Sequence, residues 1–166
     1  MEKKEALAFA WLVTFWALNY PLVKVALAFV DPFLLTFLRL MITVVFLLII
    51  TPKSFIPIKN LRANAYLFLF SFLGIYSSWT LWYLGESYIS PSLSVILMYS
   101  YPVIAVILSA IILKEKVTKN KVLGTLIGFI GIFVIFFKES GINNVFAMLL
   151  VIASAFSWAF SIIIYK

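Results

Sequence analysis

PSLSVILMYSYPVIAVILSAIIL, residues 91–113, carries no charged side chain from end to end. At ~1.5 Å per residue a helix of this length crosses the ~30 Å hydrocarbon core of a bilayer. The run lacks the alternation of a barrel strand, and in lipid the backbone must satisfy its own polar groups, so it reads as a transmembrane helix. Working outward, five further windows of the same kind fall at 6–28, 32–51, 65–86, 121–137 and 144–165. Hydrophobic residues make up 65% of the chain and charged ones 11%, against roughly 45–50% and 25% in soluble domains. The expected fold class is an all-α integral membrane protein with about six transmembrane helices, and the lipid bilayer is its expected surroundings.

The connections are short. Val30 and Asp31 separate the first two windows, with Asp31 suited to cap the second helix and Pro32 to open it. Residues 51–64 form a longer basic loop holding Pro52, Lys53, Pro57, Lys59 and Arg62, with room for a short interfacial segment. Ser87–Ser90 turn into Pro91, and KEKVTKN (114–120) and KESGIN (138–143) link the remaining windows. Alternation of the spans puts Lys3, Lys4, Lys53, Lys59, Arg62, Lys114, Lys116, Lys119, Lys121 and Lys166 on the N-terminal side, and only Lys138 in an opposite loop. The positive-inside rule then predicts a multi-pass protein of the cell (plasma) membrane with a cytoplasmic N-terminus. The net charge of +7 follows from this bias and calls for no nucleic acid. The first run is too long for a signal peptide, and no small-x-small cleavage site closes it.

The chain has no Cys and no His, which removes disulfides, the usual zinc sites and any Ser-His triad. Of six carboxylates, Glu2 and Glu5 sit at the entrance, Asp31 and Glu139 in loops and Glu115 in the basic link. Glu86 alone falls at or just inside a membrane boundary, where a coupling role competes with that of a helix-end charge. With no carboxylate pair in a span, neither catalysis nor a metal or cofactor is expected.

Function must therefore reside in the polar content of the spans, where an ionisable group costs ~2.5–3.5 kcal/mol and suggests a pathway or binding site. Lys24 lies near the outer end of the first span, where its stem either snorkels to the interface or brings the ammonium to a solute. Arg39 lies deeper in the second span and either faces a cavity, snorkels or pairs with Asp31. The third and fourth spans carry Tyr76, Trp79, Tyr83, Tyr99 and Tyr101. Tyr88 and Tyr83 suit an aromatic belt, whereas Tyr99 and Tyr101 sit mid-span, where a phenol needs a partner or water. Pro102 is expected to break the fourth helix at that depth. Asn19, beside Tyr20 and Pro21, suggests a similar break in the first, or a polar contact between helices. Gly124, Gly128 and Gly131 have the spacing of a helix-packing face.

Sliding the chain by 142 positions places Trp16 on Trp158, Ala17 on Ala159, Lys24 on Lys166 and Leu7 on Leu149, with Asn19 opposite Ser161. That offset spans five helices and pairs the first with the sixth. A repeat with an odd number of spans sets its second copy upside down, as in secondary transporters.

FWALNYPLVK in the first span, VDPFLLTFLRL through Asp31 and Pro32 to Arg39, and residues 81–135 together resemble the EamA group of the drug/metabolite transporter superfamily. The motifs are a small-residue turn at Ser90–Ser94, Pro102 in mid-helix, Glu115 closing the fourth helix and the glycines of the fifth. The resemblance implies ten helices in two inverted five-helix repeats, and export or exchange of a small metabolite by alternating access. Residues 1–139 would then be one repeat and 140–166 the first helix of a second, so that the chain holds one half of an inverted-repeat fold. Trp16, Asn19, Lys24 and the aromatics of the third and fourth helices would face the solute.

The expected function is transport of small polar metabolites such as amino acids or organic acids, the cationic Lys24 and Arg39 favouring carboxylate-bearing solutes. Transport would need a homodimer or a separate second half. The alternative is an inactive or accessory half-transporter, and a lipid-modifying enzyme is disfavoured. Small multidrug resistance proteins are short relatives, but they need a carboxylate deep in the first helix, and this one has none after Glu5.

Overall fold

The computed structural model describes residues 3–51, 60–115, 118–138 and 144–165. Glu2, Pro52, Lys53, Pro57, Lys59, Lys116, Glu139 and Lys166 lie outside them. Among the described residues six helical rods follow in chain order: α1 (Lys3–Ala26), α2 (Pro32–Ile50), α3 (Leu61–Glu86), α4 (Pro91–Ile112), α5 (Lys119–Lys138) and α6 (Val145–Tyr165). All but α5 meet the length and hydropathy of a membrane span across described residues, and α5 is a helix of 20 residues over the window read as another. Among the described residues there is no strand.

Local chemistry sets the helix boundaries. Asp31 accepts from the backbone N–H of Phe33 at 2.9 Å and of Leu34 at 3.4 Å, while Pro32 occupies the first turn, where it needs no donor. Asn60 caps α3 in the same way, at 3.0 Å from Arg62 N, so this helix begins at Leu61 rather than near residue 65. Ser90 caps α4 through Leu93 N, again with proline in the first turn. Lys114 leaves α4 at φ 52°, the left-handed turn that commonly closes a helix.

Two interruptions shape the interior. α3 widens to a π-helix over Ser71–Ser77, and α4 breaks at Tyr99–Ser100 into Pro91–Met98 and Tyr101–Ile112. Pro102 lies in the first turn of the second piece, so the expected break is present. Pro21, by contrast, does not break α1, which runs through it unbroken to Ala26.

The principal packing axis is α6 against α3 and α4, and α6 is the most buried of the spans. Ala147, Val151, Ser154, Ala155, Ala159 and Ser161 of α6 are buried. Gly74 and Gly85 of α3 lie beneath it: a Cβ on Gly85 would stand 2.5 Å from Val151 Cγ2, and one on Gly74 2.4 Å from Ser161 Oγ. Ser154 Oγ donates to Ser78 O at 2.7 Å, Ser78 Oγ donates to Ser154 O at 3.1 Å, and Ser157 Oγ donates to Leu73 O within the π-helix at 2.8 Å. Small residues bring the two backbones together, and serines satisfy each other's polar groups where water is absent. The glycines of α5 do not pack this way. A Cβ at Gly124, Gly128 or Gly131 would meet nothing within 4 Å, so the expected packing face has no partner helix among the described residues.

Candidate functional site

The stripe Trp79, Trp82, Tyr83, Glu86 follows i, i+3, i+4, i+7 spacing and therefore shares one face of α3. Arg39 reaches this face from α2. Its Nη1 donates to Tyr83 Oη, and its guanidinium carbon lies 4.4 Å from the centroid of the Trp79 ring. Thr80 Oγ1, 3.3 Å from Thr36 Oγ1, holds the two helices together beside this contact. The guanidinium thus sits against a phenol and a π-face, both neutral, and forms no ion pair among the described residues.

A cavity of about 240 Å³ opens beside it, lined by Trp16, Asn19, Tyr20, Arg39, Trp79, Trp82, Met98, Tyr99, Tyr101 and Trp158. At ~30 Å³ per water this is room for about eight waters, the scale of a small metabolite. The rings order one another: Tyr20 and Trp82 lie 4.7 Å apart, Trp82 and Tyr83 5.1 Å, and Tyr99 and Tyr101 6.4 Å. A more apolar groove of about 520 Å³ continues between α1 and the first piece of α4, past Leu12, Val13 and Val95.

Six of the residues singled out from the sequence meet here: Trp16, Asn19, Arg39, Trp79, Tyr99 and Tyr101. Tyr83 stands behind the wall, fully buried, as the partner of Arg39 and not as part of an interfacial belt. Tyr88 is 66% exposed, in keeping with a belt. Tyr76 and Pro102 are exposed and line neither opening. Lys24 is outside the cavity as well. Its ammonium gathers the carbonyls of Glu86, Ser87 (3.0 Å) and Ile89 (2.9 Å), which holds it at the end of α3. A cation suits this place, because a helix C-terminus presents unpaired carbonyls and the negative end of the dipole.

Glu86 is fully buried. Ser94 Oγ donates to its Oε2 at 2.9 Å and itself accepts from Trp82 Nε1 at 2.7 Å. Trp82, one of the third-helix aromatics expected at the solute, also lines the cavity, whereas sequence reasoning missed Tyr20, Met98 and Trp158 as cavity residues. Trp158 had a usable signal, being the residue on which Trp16 falls at the 142-residue offset. Among the described residues no group of three His, Cys, Asp or Glu is placed to hold a metal.

The model of the EamA-like transporter family matches residues 3–137. The chain is similar to an uncharacterized transporter from the sor 3′ region of Acidianus ambivalens, at 41% identity over 61% of this chain and 40% of that one. It is 32% identical to an uncharacterized transporter of Archaeoglobus fulgidus over 91% of this chain and 53% of that protein. It is also 29% identical to the uncharacterized transporter YvbV of Bacillus subtilis, over 99% and 54%. No solved structure matches significantly. The chain thus spans about half the length of the curated relatives it matches. With its apolar helices and a match across most of its length, it is a multi-pass membrane protein that belongs to the EamA-like transporter family.

Proposed function

We propose that this chain forms part of a carrier for small polar metabolites bearing a carboxylate, such as amino acids or organic acids, working by alternating access in the cell membrane with a cytoplasmic N-terminus. The observation that carries this is the Arg39 guanidinium, without an ion pair among the described residues, on the wall of an aromatic cavity of about 240 Å³. An arginine presents a planar fork matched to a carboxylate, and an aromatic enclosure strengthens that pairing by excluding water. Residues 1–139 serve as one repeat and 140–166 as the first helix of a second. In support, the offset-related pair Trp16 and Trp158 borders the same cavity.

Alternating access needs two repeats that move against each other, so this repeat works against a second one, supplied by a second copy of the chain, by a separate half or by further sequence of the same polypeptide. The test is solute binding to the purified chain in lipid, followed by quenching of the cavity tryptophans across a panel of amino acids and organic acids. Arg39→Ala is expected to weaken a carboxylate at least tenfold and leave its neutral amide analogue unchanged. Equal binding of acid and amide by the unsubstituted chain overturns the assignment. The alternative is an accessory half that does not transport alone. Uptake into liposomes by the chain alone excludes it.

A further inference from the structure

Glu86 is the residue whose placement the solute cavity leaves unexplained. It is fully buried, and while Oε2 accepts from Ser94, Oε1 has no hydrogen-bond partner among the described residues. The Lys24 ammonium lies close by but is bonded to three backbone carbonyls, one of them that of Glu86 itself, and makes no ion pair with the carboxylate among the described residues. An ionised carboxylate with one bare oxygen and no direct ion pair is costly to bury, whereas a neutral carboxyl at the same place needs little more than Ser94 supplies.

We propose that Glu86 is the coupling-ion site of this protein, carrying a proton on Oε1 in the structure described and giving it up or regaining it as the cavity empties and fills. The proposal rests on the carrier reading above. The step is a simple protonation: an O–H bond forms at Oε1 when water delivers a proton, leaving a neutral carboxyl, and the same bond breaks to return the proton to water. No other reactant is required.

Two connections join this site to the cavity. The first is Glu86 Oε2 to Ser94 Oγ to Trp82 Nε1, which fixes the indole forming part of the cavity wall. The second runs through Lys24. Once Glu86 ionises, its carboxylate becomes the strongest acceptor near that ammonium and draws it from the Ser87 and Ile89 carbonyls. Those bonds tie α1 to the end of α3, and α1 carries Trp16, Asn19 and Tyr20 into the cavity. Charge on Glu86 is thereby converted into a change in the grip of α1. The groups facing Glu86 are Lys24 and Tyr20 on α1, Tyr83 on α3 and, through Tyr83, Arg39 on α2. α4 contributes the neutral Ser94, and α6 brings Ala147 and Val151 against the adjoining Gly85. A carboxylate solute at Arg39 adds negative charge to this enclosure and so favours the protonated form of Glu86. Proton and solute are expected to bind together, each strengthening the other by the same factor.

The test is infrared difference spectroscopy of the full chain in lipid nanodiscs, titrated from acid to alkaline pH and compared with Glu86→Gln. The expected result is the carbonyl stretch of a protonated, sparsely bonded carboxyl at neutral pH, absent in Glu86→Gln and shifted in Ser94→Ala. Benzoate affinity, read by tryptophan quenching, is expected to weaken several-fold as the band disappears with rising pH, and to be independent of pH in Glu86→Gln. A spectrum without the band at neutral pH overturns the protonated site. A benzoate affinity whose pH dependence survives Glu86→Gln overturns the coupling. If no carboxylate probe binds, the carrier reading and the coupling fail together, and the infrared titration still decides whether Glu86 holds a proton.

Discussion

Glycine to alanine at two positions should move stability in opposite directions, because α6 lies against one glycine and nothing lies against the other. At Gly85 the new methyl would stand 2.5 Å from Val151 Cγ2 and 2.6 Å from the backbone oxygen of Ala147. The second contact cannot be relieved by turning a side chain, so α6 must move away from α3. Overpacking of this kind costs about 1–3 kcal/mol. At Gly128 no packing neighbour among the described residues lies within 4 Å of the added methyl, and only the helix-propensity gain of about 1 kcal/mol remains. That gain is common to both variants and cancels in their difference, which isolates the clash at about 1–3 kcal/mol. For a chain of this size 1 kcal/mol corresponds to about 2–4 °C in the thermal midpoint, so Gly85→Ala should melt about 2–12 °C below Gly128→Ala. Thermal denaturation in mild detergent followed by far-UV circular dichroism measures the gap directly. Equal midpoints, or a lower one for Gly128→Ala, would show that α6 does not pack on α3 as described.

Other outcomes follow from single contacts. Lys24→Met keeps the stem and removes the ammonium, leaving the carbonyls at the end of α3 without their donor; a loss of about 1–2 kcal/mol is expected in the same melt. An unchanged midpoint would return Lys24 to the role of a snorkelling surface lysine. Ser154→Ala removes both hydroxyl contacts with Ser78 and should cost about 0.6–1.7 kcal/mol, the range for hydrogen bonds between helices in membranes. Asp31→Ala should cost about 1 kcal/mol through loss of the α2 cap, and Asp31→Asn much less, which separates capping from charge. Trp16→Phe and Trp158→Phe should each reduce the fluorescence change on solute binding, since both rings border one cavity. A variant with an unaltered signal would place its ring away from the bound solute.

Hydropathy made the helices legible, and capping chemistry made the start of α2 legible, where Asp31 and Pro32 act as their residue types predict; the turn read at Ser87–Ser90 ends in a Ser90 cap that the structure supplies. The break in α4 also followed from Pro102, because a proline lacks the N–H its helix needs. Pro21 carries the same chemistry yet α1 continues through it, since one missing bond bends a helix but stops it only where the surroundings supply another course. The glycines illustrate a limit of spacing as evidence. Gly124, Gly128 and Gly131 have a packing period and no helix against them among the described residues, whereas the isolated Gly74 and Gly85 lie directly under α6.

The candidate site divides along similar lines. Arg39 stood out because charge in a span is costly, and the mid-span Tyr99 and Tyr101 because a phenol in lipid needs a reason; all three border the cavity. Lys24 was singled out by the same rule and proved to hold the end of another helix. The rule detects that a charge must be satisfied, and it is silent on whether a solute or a carbonyl satisfies it.

The sequence by itself determined that this chain resides in a membrane as a set of helices, because composition and the bilayer's thickness admit few other solutions. It also determined which few side chains are too polar for lipid to ignore. Only the tertiary structure decided that α6 packs against α3 and α4, that Arg39 rests on Trp79 and Tyr83, and that Glu86 is closed off behind Ser94 and Trp82. These are contacts between residues 44, 8 and 76 positions apart, among others, and they depend on rotation of each helix about its axis. Lipid attracts every apolar face of a helix alike, so that rotation is set by where small residues allow close approach and where polar groups find one another.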